Sequence, residues 1–259
     1  MSYSLKVLYS GSTGNATLVT CGEDAILIDA GRSARALCHA LTSAGISPDK
    51  LRAIVLTHEH TDHTSALEIF LKTHPVPVHA AGASATRLAQ RGECRVAANL
   101  VAHPPIFSLE IGNITLSSFP TSHDSADSVG YRICLRDGER CVTLGYATDL
   151  GIVTPAVEEA LTGCEGVVLE SNHDEEMLMT GPYPYYLKKR IASRRGHLSN
   201  HDCAVFATRL AANGMKRLLL AHLSETNNLP ELALGESRAA LAGMAVHIAA
   251  ASPTEITEL

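Results

Sequence analysis

Four potential metal ligands stand close together directly after one apolar run of the sequence. Residues 53–56 are all aliphatic and predict a buried strand, and His58, His60, Asp62 and His63 follow it. In an extended backbone, side chains two residues apart point the same way, so His58 and His60 can bind one ion. If the chain then turns into a helix, Asp62 and His63 face a second position. The pattern predicts a transition-metal site at a strand end and disfavours a polar loop with a chance cluster of histidines.

Three further potential ligands also stand at the ends of apolar runs. His123, Asp149 and His222 each follow a stretch in which apolar residues dominate. Taken singly, each residue is more simply explained as an ordinary polar residue at a strand end. Their shared placement makes them a set, and we expect them to join the same site.

Short apolar runs alternate along the chain with helix-like stretches, and no long linker interrupts them. Runs bounded by Gly, Ser or Asp predict strands over residues 5–9, 16–20, 25–29, 53–57, 114–119, 129–135, 141–146, 166–170 and 217–221. Helices are predicted over residues 66–72, 155–161 and 202–212, with another that Ser33 caps and that ends near Gly45. Strands come first in hairpins and later alternate with helices. We therefore predict packed sheets with helices outside, in a single domain of residues 1–259.

The charge and the cysteine pattern limit the partners and the compartment. A formal net charge of −6 provides no basic field to attract nucleic acid or an anionic membrane, so a polyanionic substrate would need a local basic patch or bound metal. The seven cysteines are scattered, odd in number and contain no C-x-x-C pair, which predicts a reducing compartment without a disulfide framework. No signal peptide or long apolar window is visible, so we expect a cytoplasmic protein without a membrane partner.

The ordered set of potential ligands resembles the motif series of the metallo-β-lactamase superfamily. The resemblance runs from Asp29, through the block at residues 58–63, to His123, Asp149 and His222. It implies an α/β fold, a four-layer αββα sandwich in which mixed sheets carry helices on their outer faces.

By that resemblance, the ligands divide between two divalent metal ions. The first ion would be held by three imidazoles, those of His58, His60 and His123. The second would be held by Asp62, His63 and His222, with both ions bridged by Asp149. Asp29 would support the metal loop rather than bind metal. The ions would be zinc, or else manganese or iron.

Two divalent ions at one position predict hydrolytic chemistry. Metal binding lowers the pKa of water by many units, so a hydroxide bridging both ions is a nucleophile at neutral pH. The same ions polarise the scissile group and neutralise charge in the transition state. Asp62 is also a candidate catalytic residue, because it can orient the attacking oxygen. No serine or cysteine nucleophile is needed.

Further stretches are similar to the YycJ (WalJ) family of this superfamily. The similar stretches comprise residues 10–15, 170–174, 181–184, 196–200 and 222–228, so that nearly the whole chain fits. The similarity implies 5′-to-3′ exonuclease activity on DNA, a cytoplasmic location, and kinship with ribonuclease Z and ribonuclease J. Taken alone, the Gly-rich residues 10–15 predict only a tight hairpin loop.

A basic cluster supports a phosphodiester substrate. It precedes the 196–200 motif and consists of Lys188, Lys189, Arg190, Arg194 and Arg195. Such a patch can bind substrate phosphates despite the acidic total, although a solvated helix face explains it equally well.

Two histidines outside the ligand set are candidates for contact with substrate. His197 could donate a proton to the leaving oxygen or bind a phosphate oxygen, and the alternative is that it caps a helix starting near Asn200. His173 could line the site and bind substrate phosphate, or could be an ordinary loop residue.

The leading prediction is a metal-dependent phosphodiesterase, an exonuclease on DNA with RNA as an open alternative. A small-molecule hydrolase of the same fold, acting on a thioester, lactone or cyclic phosphodiester, is favoured by the acidic charge and the lack of a nucleic-acid module. A β-lactamase is disfavoured because those enzymes work outside the cytoplasm. A non-catalytic metal-binding protein is disfavoured because every ligand position is filled.

Overall fold

Two mixed β-sheets form the centre of the molecule, in a computed structural model that describes residues 3–259 except the side chain of Asp137. The first sheet has seven strands within the described residues: β1 Tyr3–Tyr9, β2 Ala16–Cys21, β3 Asp24–Ile28, β4 Ala53–Val55, β5 Val78–Ala81, β6 Leu100–His103 and β14 Thr257–Glu258. Their order is β14-β1-β2-β3-β4-β5-β6, antiparallel from β14 to β3 and parallel from β3 to β6.

The second sheet has the same plan in its own part of the chain. Its seven described strands are β7 Ser108–Ile111, β8 Ile114–Pro120, β9 Val129–Asp137, β10 Arg140–Ala147, β11 Gly166–Glu170, β12 Arg217–Ala221 and β13 His247–Ala250. Their order is β13-β12-β11-β10-β9-β8-β7, parallel from β13 to β10 and antiparallel from β10 to β7. Hairpin strands thus precede strands reached by crossovers, as the sequence pattern predicts.

Helices cover the outer face of each sheet. They are α1 Ala34–Ser43, α2 Thr61–Thr64, α3 Leu67–Thr73, α4 Gly82–Ala89, α5 Cys94–Asn99, α6 Pro155–Leu161, α7 Glu175–Thr180, α8 Tyr185–Ile191, α9 Asn200–Ala212 and α10 Pro230–Ala240. On the first sheet, Leu37 and Leu41 of α1 share a buried cluster with Leu18 of β2. On the second, Phe206 of α9 is buried with Leu218 of β12. The predicted αββα sandwich is confirmed. No helix among residues 3–259 has both the length and the apolar character needed to cross a membrane.

Alternate strand residues fill the core between the sheets. Tyr131 and Ile133 of β9 are buried in the same cluster as Leu5 and Val7 of β1. Because successive side chains on a strand point to opposite faces, one face of each sheet contributes to this shared core. β4 and β11 are buried along their whole length, as expected for strands that are covered on both faces.

The predicted elements agree best with the structure where local signals are strong. α6, β11 and β12 have the predicted bounds, and Ser33 caps α1 by accepting from the Ala36 amide at 3.2 Å. β4 is shorter than predicted and ends at Val55, and α9 begins earlier, at Asn200. No prediction covered β5 to β7, α4, α5, α7, α8, α10, β13 or β14.

The cysteine prediction needs one correction. Cys134 and Cys141 form a disulfide across the β9–β10 hairpin, with their Cα atoms 6.0 Å apart. The register places them diagonally, since Cys134 lies opposite Thr143 and Cys141 lies opposite Arg136. The bond joins neighbouring strands of one hairpin rather than distant segments. The spacing of scattered cysteines could not predict it, because it depends on the strand register.

Candidate metal centre

The candidate ligands lie where strands of both sheets end. Residues 58–63 follow β4, while His123, Asp149 and His222 follow β8, β10 and β12. Asp29 comes directly after β3. Loops at the carboxyl ends of strands are where α/β folds build their sites. The structure brings all eight of these predicted residues into one cluster.

Three imidazoles form the first ligand group. The ring centres of His58 and His60 are 4.5 Å apart, and they lie 5.0 and 5.1 Å from that of His123. Each ring offers a nitrogen within 4.8 Å of the others. His60 has an extended backbone, with φ −61° and ψ 154°, so this group joins extended residues after β4 to a residue after β8.

Asp62, His63 and His222 form the second ligand group. His60 is the N-cap residue of α2, so the chain turns into a helix between the two groups, as predicted. Nε2 of His63 lies 3.3 Å from Oδ2 of Asp62. The same carboxylate oxygen lies 3.8 Å from Nε2 of His222. The group therefore combines a carboxylate with two imidazoles, a donor set that suits zinc, manganese or iron.

Asp149 lies between the two groups. Its Oδ2 is 3.4 Å from Nε2 of His63, and its Oδ1 is 3.8 Å from Nε2 of His123. Oδ1 also lies 3.6 Å from Nδ1 of His222. Asp149 thus contacts residues of both groups, as a carboxylate that bridges two ions would.

The outer nitrogen of four rings is fixed by a hydrogen bond. The Nδ1–H groups donate at 2.7 to 3.1 Å in four pairs, His58 to Thr57, His63 to Asp29, His123 to the Gly196 carbonyl and His222 to Glu170. A bonded Nδ1–H leaves Nε2 free to donate its lone pair to a metal. Nε2 of His58, Nε2 of His222 and Oδ2 of Asp149 are buried without a hydrogen-bond partner. Because buried polar atoms are nearly always paired, these unpartnered atoms fit divalent cations.

The charges around the cluster favour a cation. Burial and the neighbouring histidines hold the pKa of His58 well below its ordinary value, which keeps the ring neutral and able to coordinate. Burial alone would also lower the pKa of His63, but three nearby aspartates outweigh it and raise that pKa well above its ordinary value. Burial would likewise lower the pKa of His222, but the carboxylates of Asp149, Asp62 and Glu170 outweigh it and raise that pKa well above its ordinary value. The carboxylates thus create a negative potential that divalent ions would neutralise.

Three residues of the cluster have a left-handed backbone. The angle φ is 61° at Asp29, 57° at Asp149 and 56° at His222. Asp and Asn tolerate this conformation best, and other non-glycine side chains adopt it at a cost of about 1–3 kcal/mol. Each residue stands just after a strand, so a sharp turn directs its side chain into the cluster. Strain of this kind is typical of functional positions.

Glu170 is the main site residue that the sequence analysis does not identify. It ends β11, is fully buried, and accepts from Nδ1 of His222 at 2.7 Å and Nδ1 of His197 at 2.8 Å. Its other oxygen accepts from the amides of Leu150 and Leu198 at 3.0 and 3.1 Å. Although burial raises the pKa of Glu170, the two histidines hold it well below its ordinary value. The available signal was a carboxylate at the end of an apolar strand, within the 170–174 motif.

Asn15 is a second contact that the sequence did not predict. Its Nδ2 lies 3.1 Å from Nε2 of His63 and 3.4 Å from Oδ2 of Asp62. Residues 10–15 form the predicted hairpin loop between β1 and β2, and they also place this amide against the second ligand group. This loop packs closely against Gly31, which follows β3. A Cβ at Gly31 would overlap the Asp62 carbonyl oxygen and the Asn15 amide nitrogen.

His197 lies at the edge of the cluster. Its Nδ1 is 3.9 Å from Oδ1 of Asp149. It does not cap α9, because the N-cap residue is Ser199, which accepts from the Asp202 amide at 3.1 Å. His173 is buried nearby, and the two histidines line a cavity of about 200 Å³. A larger groove, of about 670 Å³, lies along α1 and shares no residue with the cluster.

The structure divides the basic cluster in two. Nε of Arg190 donates to Oδ2 of Asp124 at 2.5 Å, and Nε of Arg195 donates to the His123 carbonyl at 3.1 Å. These two arginines brace the loop that carries His123. The other three cations of the cluster do not brace this loop. Lys188 is half-buried and Lys189 is exposed on α8, and Arg194 is exposed in the turn after it.

Comparison with known proteins gives the family. Residues 24–223 match the family described as the beta-lactamase superfamily domain, a span that contains every residue of the cluster except Asn15. The chain belongs to the beta-lactamase superfamily. One relative within this superfamily, Exodeoxyribonuclease YycJ of Bacillus anthracis, is 34% identical over 242 residues, which cover 90% of this chain and 87% of the relative. Exodeoxyribonuclease WalJ of Streptococcus pneumoniae is 32% identical over 237 residues, which cover 90% and 86%.

A solved structure agrees with the superfamily assignment. YhfI of Bacillus subtilis, described as a metallo-β-lactamase fold protein, superposes with a TM-score of 0.73 at 19% identity, over 99% of this chain and 100% of that one. At this identity the likeness shows the fold alone. The predicted resemblance to the metallo-β-lactamase superfamily, and to the YycJ and WalJ proteins within it, is confirmed.

Proposed function

We propose that this chain is a dinuclear metal-dependent phosphodiesterase that acts as an exonuclease on DNA. The observation that carries the proposal is the pair of ligand groups on either side of Asp149, with unpartnered buried atoms on His58, His222 and Asp149. Relatives named exodeoxyribonucleases, which match nine-tenths of the chain, support DNA as the substrate. The same proposal includes digestion from 5′ to 3′ and zinc, manganese or iron as the metals. It also includes a cytoplasmic location and a single domain over residues 1–259.

Each residue of the cluster has a role in this proposal. One ion would be held by His58, His60 and His123, and the other by Asp62, His63 and His222, with Asp149 between them. Bound there, two divalent ions would supply an activated water and neutralise charge on the phosphodiester. Asp29 would fix His63 through its hydrogen bond to Nδ1.

His197 is proposed to act on the substrate directly. Its Nδ1–H donates to Glu170, so with the ring protonated on both nitrogens Nε2–H can donate to a phosphate oxygen or give its proton to the leaving oxygen. Asp62 would orient the attacking oxygen. His173, which lines the same cavity as His197, would contribute to phosphate binding.

The test is degradation of 5′-labelled and 3′-labelled DNA, single- and double-stranded, with added manganese or zinc. The wild type should release labelled products only with metal, and the label released first gives the polarity. His60→Ala should lower the rate about 10³-fold or more, because a metal position supplies several kcal/mol of transition-state stabilisation. If the wild type binds both ions and leaves all DNA intact, a small-molecule hydrolase becomes the better assignment. A His60→Ala protein with full activity would contradict the metal site.

Two exposed cations of the basic cluster that do not brace the His123 loop should contribute to binding DNA phosphates. Lys189 and Arg194 lie on α8 and in the turn after it, so Lys189→Ala with Arg194→Ala should weaken DNA binding and lower its salt dependence. Because two cations are removed, the magnitude of the slope of log affinity against log salt should fall by about 2. Fluorescence anisotropy over a salt series measures this slope.

The control for that experiment is an arginine outside both the basic cluster and the metal centre. Arg238 is exposed on α10, and Arg238→Ala should leave the slope unchanged. If the double variant also keeps the wild-type slope, the basic cluster is a solvated helix face. Arg190 is left intact because its bond to Asp124 would mix positioning of the loop with binding.

A further inference from the structure

Glu59 is a buried carboxylate that stands between two candidate metal ligands in the sequence. Its side chain is only 4% exposed, and it contributes no atom to the ligand groups found among residues 3–259. Consecutive side chains of an extended segment point to opposite sides, so Glu59 faces away from the side that His58 and His60 share. A buried carboxylate is costly unless it is paired. The partners of Glu59 therefore indicate what it does.

The Glu59 carboxylate holds the loop that carries His123. One oxygen, Oε1, accepts from the Ala126 amide at 3.0 Å. The other, Oε2, accepts from the Ser84 hydroxyl at 2.6 Å. Ser84 lies in α4 and contacts the same loop, since its Oγ is 2.8 Å from the Asp127 carbonyl oxygen. One carboxylate oxygen thus binds the loop directly, and the other binds it through Ser84.

This link joins the two sheets at the first ligand group. Glu59 follows β4 of the first sheet, whereas Ala126 lies in the loop between β8 and β9 of the second. The Val129 amide also donates to the Thr57 carbonyl at 3.0 Å, so a backbone bond connects the same two segments. Two imidazoles of the first ligand group lie in the segment of Glu59, and the third lies in the loop. The separation of the three rings therefore depends on how the segment and the loop are docked.

We propose that Glu59 is a positioning residue of the first metal site, and that its carboxylate sets how closely His123 approaches His58 and His60. The inference rests on the metal centre of the proposed function and adds to it a residue that controls one ion and not the other. The second ligand group has no residue in the loop that Glu59 holds. Residues that orient ligands in this way typically change metal affinity by about 10- to 100-fold.

Two substitutions separate the reach of this side chain from its charge. Glu59→Gln loses the charge but keeps the reach, so its oxygen can still accept from the Ala126 amide. Its NH₂ group can donate to Ser84 Oγ, because the Ser84 hydroxyl can turn to the Asp127 carbonyl. Glu59→Asp keeps the charge but is one methylene shorter, so it cannot span both bonds.

The expected result is a selective loss of one ion in Glu59→Asp. Its affinity for one of two zinc ions should fall about 10- to 100-fold, while the affinity for the other stays nearly unchanged. Glu59→Gln should bind both ions nearly as the wild type does. Competition with a chromophoric chelator measures the two affinities, with zinc as the only added metal.

The matched control shortens a glutamate that holds a different segment. Glu68 accepts from the Arg95 and Val96 amides at 2.9 and 3.2 Å and belongs to neither ligand group, so Glu68→Asp should keep both zinc affinities. A double variant identifies the ion that is lost. In the His60→Ala background the first site is already disrupted, so adding Glu59→Asp should not weaken the remaining ion.

The outcomes separate the positioning role from the proposed function. Wild-type affinities in Glu59→Asp would overturn the inference, as would weak binding in Glu59→Gln alone, because charge rather than reach would then matter. Equal loss of both ions with a lower melting temperature would make Glu59 a structural residue only. If Glu59→Asp loses one ion selectively and the wild type cleaves no DNA, the inference holds and only the exonuclease assignment is wrong. A wild type that binds no zinc would overturn the metal centre and the inference together.

Discussion

Replacing Asp149 with Asn is expected to lower phosphodiester turnover by about 10³-fold or more while the sandwich stays folded. Asn has nearly the same size and tolerates the left-handed φ of 57° at this position. The substitution therefore removes a negative charge and one carboxylate oxygen between the two ligand groups, and little else. Bound metal should fall from about two ions per chain towards one. Turnover of bis(p-nitrophenyl) phosphate and metal content by mass spectrometry measure both effects.

A surface aspartate provides the control for Asp149. The Asp49 side chain is 71% exposed and contacts His74 away from the cluster, so Asp49→Asn should keep wild-type turnover and metal content. Thermal melting of both variants shows whether the fold is retained. If Asp149→Asn turns over substrate at the wild-type rate with both ions bound, Asp149 is not the bridging residue.

Glu170→Gln should weaken metal binding and turnover about 10- to 100-fold, because Glu170 orients two histidines of the site. One carboxylate oxygen accepts from Nδ1 of His197 and His222, and the other accepts from the amides of Leu150 and Leu198. A glutamine has one oxygen, so in either orientation its NH₂ group faces N–H donors. If the NH₂ group faces His222, that ring must move its proton from Nδ1 to Nε2, the atom proposed to bind metal.

Metal affinity distinguishes this positioning role from a purely structural one. Competition with a chromophoric chelator should show the weaker binding in Glu170→Gln. Glu158→Gln is the control, since Glu158 pairs with Arg209 on the surface. A lower melting temperature with unchanged metal affinity would make Glu170 a structural residue only.

The ligand order was predictable from the sequence because each ligand follows its own apolar run. Residues 58–63 carry this signal locally, and the strand ends before Asp149 and His222 repeat it. The contacts of Glu170 have no such local signal, since its partners His197 and His222 are 27 and 52 residues further along the chain. A carboxylate that ends a buried strand looks like an ordinary turn residue until the fold places the histidines beside it.

The basic cluster shows a similar limit. Five cations within eight residues predict one patch, but the fold uses Arg190 and Arg195 to brace the loop of His123. Whether a cation meets another part of the chain or the solvent depends on long-range packing.

The candidate ligands come from both layers of the sandwich. Residues 58–63 belong to the first sheet, whereas His123, Asp149 and His222 belong to the second. Ions held by both sets would act as cross-links, and their binding energy would be gained only when the two layers are docked. Folding and metal loading would then be one linked equilibrium. A cell that withholds metal would then lower the stability of this protein together with its chemistry, although the apolar core shared by the two sheets would remain.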